Sequence, residues 1–339
     1  MKVYERVRHP YTGRMIPKFL TGVITPLFTP CKPDNSLDHK GIAAMVRWLK
    51  GTGAVTTLFP RSGVGGMYTF SYSDVKEIID VVVSEAAGDV FVMPGTAGIY
   101  DRRGEKPDPE RYTSETIELS LYAQERGADA AVIVMPSALR REEGVPLEET
   151  IFRYFERVHG ETELPIVIYN PPGLEEEYRM TPGLLGRLLK LERIWGLKYS
   201  TTDMGIFTGL AMASEGTDFG LIAGAEHAYL YVMICGGLGV IGQGCGINPQ
   251  ILRAVYDRFM EGDIEGARQA QLDVLRALQA SRSMPSALAG MYYFRSKGVE
   301  VPLNARNVRM YEGGPGGEVD EGRVREMVEA IDSLVSKYV

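Results

Sequence analysis

Eight short runs of apolar, largely β-branched residues recur between residues 22 and 243, and segments with helical spacing separate them. Continuous apolar runs are typical of strands buried on both faces of a parallel sheet. The runs are Gly22–Phe28, Ala54–Phe59, Phe91–Thr96, Ala130–Pro136, Pro165–Asn170, Trp195–Ser200, Phe219–Gly224 and Gly239–Gln243. Strands that alternate with helices in this number favour a TIM-type (β/α)8 barrel of the α/β class. An open doubly wound sheet is the alternative, which strand counting alone does not exclude.

Helix signals fill the intervening segments and continue beyond the last strand. Thr181 followed by Pro182 is typical of a helix start, and apolar residues recur at helical spacing in Asp38–Lys50, Ser73–Ala87 and Ser114–Arg126. The strand signal then stops, and further helices are predicted at Pro249–Glu261, Ile264–Ser281, Pro285–Lys297 and Glu321–Lys337. The sequence thus predicts a surface extension of residues 1–20, a barrel of residues 21–249 and a helical C-terminal extension of residues 250–339.

Two loops stand out within this pattern. The charged loop Ile99–Tyr112 follows the third predicted strand, and loops at the carboxyl ends of barrel strands can border an active site. The glycine-rich stretch Gly313–Gly317 is interpreted as a linker between helices.

Composition excludes several classes of function. The chain has 37 Lys and Arg against 44 Asp and Glu, a net charge of −7, which disfavours nucleic acid and anionic membranes as partners. Its three cysteines and four histidines are scattered, so neither a disulfide framework nor a metal site of Cys and His is expected. No apolar run approaches the roughly 20 residues of a membrane span, and no signal peptide is visible. We expect a cytoplasmic protein.

Lys198 is the strongest candidate for a catalytic residue. It lies at the carboxyl end of the sixth predicted strand, the end of a barrel that hosts catalysis. Burial disfavours the ammonium form and lowers its pKa, so that a neutral amine exists near pH 7. Such an amine can attack a ketone and form a Schiff base, which then accepts electrons from a breaking C–C bond. A lysine paired with a buried carboxylate, or one extended to the barrel rim, is the structural alternative.

Tyr169 ends the fifth predicted strand. Adjacent parallel strands lie about 4.8 Å apart, so Tyr169 and Lys198 are expected to share one space. A phenol beside an iminium can relay protons. A tyrosine on the barrel rim with a hydrated hydroxyl is the alternative reading.

Substrate contacts are predicted at two further places. Arg61–Gly66 (RSGVGG) follows the second strand, and small residues with free N–H groups form a concave site for an anion such as the carboxylate of a 2-oxo acid. Ser62 and Gly63 are the candidates there, and Ile241 is the candidate at the eighth strand. The glycines Gly237–Gly242 match GxGxxG. A helix is predicted before them rather than the strand that a dinucleotide site needs, so no nucleotide is expected.

These residues together resemble one family of enzymes. Lys198 in GLKYS, Tyr169 in YNPPG, the strand GVITPLFTP at Gly22–Pro30 and the stretch Gly220–Gly242 are similar to the dihydrodipicolinate synthase/N-acetylneuraminate lyase family. The resemblance covers roughly Thr21–Val301. It implies a TIM barrel with C-terminal helices, a lysine that forms a Schiff base with pyruvate or a related ketone, and a tyrosine that relays protons. It also implies a homotetramer built as a dimer of dimers, with no metal or nucleotide cofactor.

The sequence departs from that family at three motifs. The loop after the second strand, usually GTTGE or GTGGE, reads RSGVGGM at Arg61–Met67 and lacks the acidic residue. Ser137 and Ala138 follow Pro136, where dihydrodipicolinate synthases have two tyrosines. Leu174 stands where their arginine would bind the carboxylate of the second substrate. These differences predict an uncharged or hydroxyl-rich aldehyde as the partner of pyruvate.

Two classes of function follow. The first is a Schiff-base lyase or aldolase for pyruvate or a 2-oxo sugar acid, with dihydrodipicolinate synthase proper and a 2-keto-3-deoxy sugar-acid dehydratase as alternatives. The second is a 2-oxo acid binding or regulatory protein that has lost catalysis. Because both Lys198 and Tyr169 are present, the sequence favours the enzyme.

Overall fold

The predicted barrel is the observed fold. The computed structural model describes residues 3–282, 284–306 and 320–339, so the predicted linker Gly313–Gly317 lies outside it. Eight parallel strands form the sheet in the order β3-β2-β1-β8-β7-β6-β5-β4. The strands are β1 (Gly22–Pro26), β2 (Val55–Phe59), β3 (Phe91–Val92), β4 (Ala131–Val134), β5 (Ile166–Asn170), β6 (Ile194–Tyr199), β7 (Gly220–Ala223) and β8 (Gly239–Val240).

The barrel closes between β3 and β4. Gly95 forms a parallel bridge with Val132, and the Thr96 amide donates to the Val132 carbonyl at 3.0 Å. Strand β3 was predicted to continue to Thr96, but it ends at Val92. After that point the chain crosses to β4, which excludes the open doubly wound sheet.

Helices α1 to α7 alternate with the strands, and α8 to α11 follow them. Their bounds are α1 (His39–Gly51), α2 (Tyr72–Ala86), α3 (Pro109–Arg126), α4 (Leu147–Glu161), α5 (Pro182–Leu188), α6 (Met204–Ala213), α7 (Tyr229–Ile234), α8 (Pro249–Met260), α9 (Ile264–Ser281), α10 (Ser286–Ser296) and α11 (Glu321–Val335). No helix of the described residues is long and apolar enough to cross a bilayer.

Helix α3 begins five residues earlier than the sequence pattern predicts. The Asp108 side chain accepts a hydrogen bond from the Arg111 amide, and Pro109 occupies the first turn. An acidic N-cap followed by proline is a strong start signal, which the prediction of a start at Ser114 missed. The charged loop therefore ends at Asp108 rather than at Tyr112.

Residues 16–20 lie deeper in the fold than a surface extension would. An antiparallel hairpin pairs Arg6–Arg8 with Met15–Pro17, and its exposed positions agree with the expectation. Phe19 and Leu20, however, have no exposed surface. The Phe19 carbonyl accepts from Thr57 Oγ1 of β2 at 2.8 Å, and Leu20 lies over the glycines at the amino ends of β6 and β7. This segment closes the amino end of the barrel.

The C-terminal helices continue the barrel and support one side of its carboxyl end. Helix α8 packs against β1 as well as against α9, so the ring of helices extends past residue 249 to Met260. The side chain of Asp273 in α9 is buried, and it accepts hydrogen bonds from Lys337 Nζ at 3.1 Å and Tyr338 Oη at 2.9 Å. The end of the chain is thereby tied to α9, whose own end reaches the cavity described next.

Candidate active site

A cavity of about 1040 Å³ opens at the carboxyl ends of the strands. Its wall includes Lys198 from β6 and Tyr169 from β5, which pair with each other in the register of the two strands. Loops after β2, β3, β5, β6, β7 and β8, the end of α9 and the start of α10 contribute the rest of the wall. The two residues predicted for catalysis are therefore brought together where a barrel carries its chemistry.

Lys198 is a buried amine. Its side chain is 4% exposed, and Nζ lies 4.1 Å from the centre of the Tyr169 ring and 5.4 Å from that of Phe59. Removal from water lowers the pKa of Lys198 to about 7, while Cys245 and Glu226 oppose the fall. Burial also raises the pKa of the Cys245 thiol, which keeps it uncharged, so Glu226 is the effective counter-charge at neutral pH. A fraction of Lys198 is then a free nucleophile near neutral pH.

Tyr169 stays protonated beside this amine. Its side chain is 3% exposed. Burial, with a smaller contribution from Tyr68, raises the pKa of Tyr169, and a hydrogen bond with Ser200 opposes that rise. The Phe59 ring meets Tyr169 edge-on at 6.1 Å between ring centres. A phenol held in one orientation and protonated at neutral pH can donate a proton to a group bound at Lys198.

The loop after β2 presents Gly63 and not the side chain of Ser62. A Cβ atom on Gly63 would lie only 2.8 Å from Tyr169 Oη, so glycine is needed for the loop to approach the tyrosine. Ser62 is fully buried; its Oγ donates to the Leu27 carbonyl and accepts from the Gly65 amide, both at 3.1 Å. Ser62 is not among the described residues that line the cavity. Binding of a carboxylate at this loop stays a prediction, with Gly63 as its cavity-facing member.

Arg61 fixes the loops after β2 and β3. It is 3% exposed and has a φ of 52°. The family that the sequence resembles usually has glycine at this position. A left-handed conformation is uncommon for a residue with a Cβ, and here the contacts of the side chain hold it. Burial lowers the pKa of Arg61 to about 10. Its guanidinium donates to the carbonyls of Met67, Gly95, Ala97 and Gly98.

Glu226 is a site residue that the sequence reasoning missed. It follows β7, lines the cavity and is 5% exposed. Its Oε1 accepts from the Gly244 amide at 2.6 Å, and a Cβ on Gly242 would collide with the carboxylate. Gln271 of α9 donates to the Glu226 carbonyl at 2.8 Å. Glu226 lies just beyond the end of β7, and this position was the signal available in the sequence.

Two arginines also line the cavity, namely Arg102 from the loop after β3 and Arg282 from the end of α9. Arg140 and Arg141 in the loop after β4 and Arg179 in the loop after β5 are other cations that could replace the family's arginine. None of these three is among the described residues that line the cavity. Leu174 is buried at 2% exposure.

Ile241 lies directly after β8 and contributes an apolar part of the cavity wall. Within the part of the chain that the structure describes, no three side chains of His, Cys, Asp or Glu lie close enough together to hold a metal ion.

Comparisons with known proteins agree with this architecture. A sequence model of the dihydrodipicolinate synthetase family matches residues 19–306. The chain is 30% identical to a 4-hydroxy-tetrahydrodipicolinate synthase of Archaeoglobus fulgidus over 73% of its own length and 78% of the relative. It is 31% identical to a synthase of the same name from Ruegeria pomeroyi over 81% of its own length and 88% of the relative.

Solved structures show the same fold at lower identity. A prophage protein of the dihydrodipicolinic acid synthase family from E. coli K12, solved in complex with pyruvate, superposes with a TM-score of 0.78 at 24% identity, over 94% of this chain and 99% of that one. N-acetylneuraminate lyase from Fusobacterium nucleatum gives a TM-score of 0.78 at 20% identity, over 95% and 99%. The chain belongs to the dihydrodipicolinate synthetase family and, like its members, is a lyase of the class I aldolase type.

The acidity of Lys198 can be measured without any substrate. Labelling of Lys198 by a small amine-reactive reagent, quantified by peptide mass mapping, should rise with pH to half its maximum near pH 7. Glu226→Gln removes a negative charge that favours the ammonium form, so the midpoint should move to lower pH. Glu265→Gln, on the surface of α9, should not move it. A midpoint near 10.4, the value of an ordinary lysine, would contradict the assignment.

Proposed function

We propose that this protein is a Schiff-base-forming aldolase that cleaves or forms a C–C bond of a 2-oxo sugar acid, with pyruvate as the 2-oxo product or donor. The observation that carries the proposal is the buried amine of Lys198, whose pKa lies at about 7, beside a protonated Tyr169 in a large cavity. The pyruvate bound to the structurally similar E. coli protein supports this choice of ligand.

The reaction begins with attack of neutral Lys198 Nζ on the ketone carbon of the substrate. The Tyr169 hydroxyl donates a proton to the carbinolamine oxygen, which leaves as water, and the iminium forms. The Tyr169 phenolate left by this step takes the proton of the C4 hydroxyl, and the C3–C4 bond breaks. An aldehyde departs, and the bonding electrons pass into an enamine. Protonation of the enamine at C3 and attack of water on the iminium release pyruvate and restore Lys198.

The wall around this centre suits a small 2-oxo acid. Gly63 lies against Tyr169, so its loop would receive the carboxylate next to the ketone. Ile241 would cover the apolar side of the methyl or methylene carbon from β8. Because Lys198 and Tyr169 are buried, water is removed from the iminium. This strengthens each electrostatic contact with the iminium.

Dihydrodipicolinate synthase proper is the second candidate, because the curated relatives carry that activity in their names. Its second substrate bears a carboxylate of its own, which calls for a bidentate cation near the reacting centre. Leu174 cannot supply one, and Ser137 and Ala138 cannot supply the phenols of a longer proton relay. The dehydratase and the non-catalytic binding protein remain alternatives that the assays below separate.

Assembly and location are proposed on the family resemblance. We infer a homotetramer built as a dimer of dimers, which light scattering on the purified chain would reveal, and a cytoplasmic protein. The partners are then 2-oxo acids and aldehydes.

Lys198→Ala should abolish the adduct that borohydride fixes on the protein in the presence of pyruvate. Lys198→Arg should be equally inactive, since guanidinium stays protonated and cannot attack a ketone. Lys190→Ala is the matched control, because it removes an exposed lysine that lies shortly before β6. This variant should keep the adduct. Peptide mass mapping reads the result, and an adduct on another lysine would refute the assignment.

Tyr169→Phe should lower turnover by about 10²–10⁴, the usual contribution of general acid–base catalysis. The packing of the ring against Phe59 is retained, so thermal unfolding should change little. Steady-state kinetics and calorimetry on the same preparation measure both quantities. Near-normal turnover would assign Tyr169 a structural role.

The protein should be a poor dihydrodipicolinate synthase. The charge-assisted contact that is missing at Leu174 costs about 1.5–3 kcal/mol, and the shorter proton relay slows the reaction further. In a coupled assay with pyruvate and aspartate semialdehyde, we expect kcat/KM below the ordinary enzyme range of about 10⁴–10⁸ M⁻¹s⁻¹. A value within that range would favour the second candidate.

A further inference from the structure

The cavity is positively charged although the chain is not. The whole chain carries a net charge of −7. Among the described residues that line the cavity, Arg102 and Arg282 are cations and Lys198 is partly protonated, and they face a single carboxylate, that of Glu226. A recess with an excess of one charge, set in a low-dielectric wall, concentrates ligands of the opposite charge.

Arg102 and Arg282 differ in how their charge is compensated. Arg102 lies 3.8 Å from the carboxylate of Glu175 and donates to the Gly173 carbonyl at 3.0 Å. It therefore has an acidic neighbour and holds the loop after β5. Arg282 has no carboxylate within 4.0 Å in the part of the chain that the structure describes.

The hydrogen-bond partner of Arg282 is neutral. Arg282 Nη2 lies 3.1 Å from His227 Nε2. Guanidinium can only donate, so Nε2 must accept and the imidazole carries its proton on Nδ1. The contact orients the guanidinium without offsetting its charge, which leaves its other donors for a ligand.

Polar side chains also line the cavity that holds Lys198 and Arg282. Ser200 and Thr201 follow β6, His227 follows β7, and Gln243 follows β8. Hydroxyl, imidazole and amide groups of this kind suit a chain of hydroxylated carbons. Ser286, at the start of α10, also lines the cavity and adds a hydroxyl donor.

We propose that Arg282 binds a second negatively charged group at the far end of the substrate, a carboxylate or a phosphate. The substrate is then a hydroxylated 2-oxo acid whose ketone lies at Lys198 and whose distal end is anionic. This inference rests on the proposed aldolase function and names its substrate class. It replaces the uncharged end that the loop sequences alone predict, because the cation comes from the end of α9 rather than from the loop after β5.

The proposal is tested with three six-carbon 2-oxo-3-deoxy sugar acids that differ only at C6. In these acids C6 is a hydroxymethyl group, a carboxylate or the phosphate ester of the hydroxymethyl group. Release of pyruvate is measured for each. At least one anionic substrate should have a KM about tenfold or more below that of the neutral one, and the preferred anion identifies the distal group. Arg282→Gln should raise that KM about tenfold to a hundredfold and leave kcat nearly unchanged, since the contact is expected to be equally strong in the bound substrate and in the transition state.

Arg268→Gln removes the same charge from an exposed position on α9, paired with Glu265, and should change neither constant. Equal KM values for the three acids, or an equal rise for all three in Arg282→Gln, would overturn the role of Arg282. Failure of the aldolase function has a different signature, which is the absence of a borohydride adduct on Lys198. In that case, calorimetric titration of wild type and Arg282→Gln with the same three acids still decides the site: preferential binding of an anionic acid that Arg282→Gln abolishes supports it, and equal binding refutes it.

Discussion

The removal of one amine from water is the constraint on which the rest of the site depends. Lys198 is 4% exposed, and the cost of burying an ammonium there appears as a pKa of about 7 rather than as a paired charge. A neutral nucleophile at physiological pH requires this burial to persist. The closed barrel supplies it from the sides through β5 and β7, and Phe19 and Leu20 close the amino end beneath.

Glu226 moderates the same constraint. A carboxylate near Lys198 favours the ammonium and thereby limits the fall in pKa. Without it the amine would be more fully neutral but also less basic, and therefore a weaker nucleophile. Because its Oε1 is held by the Gly244 amide and its carbonyl by Gln271, the charge has a fixed place. The C-terminal helix α9 therefore contributes to the chemistry of the barrel, since it carries both Gln271 and the segment that ends at Arg282.

The sequence could predict the parts of the site that depend on a single strand. Lys198 and Tyr169 each end an apolar run, and neighbouring parallel strands align their ends, so their proximity follows from strand order alone. Glu226, Arg102 and Arg282 lie on loops or on a helix beyond the barrel. Their approach to Lys198 depends on how α9 and the loop after β3 pack, which local patterns do not encode. The sequence also could not show that residues 16–20 complete the core, since this segment is too short to have a periodicity of its own.

The two arginines Arg61 and Arg282 show how the chain treats positive charge in different ways. Arg61 is buried, and backbone carbonyls of the loops after β2 and β3 accept its hydrogen bonds. These carbonyl dipoles offset its charge, so its effect is to hold Gly63 against Tyr169. Arg282 is exposed to the cavity and bonded to a neutral imidazole, so its charge acts on whatever enters. Arg61 therefore orders the wall of the cavity, whereas Arg282 selects among the ligands that enter it.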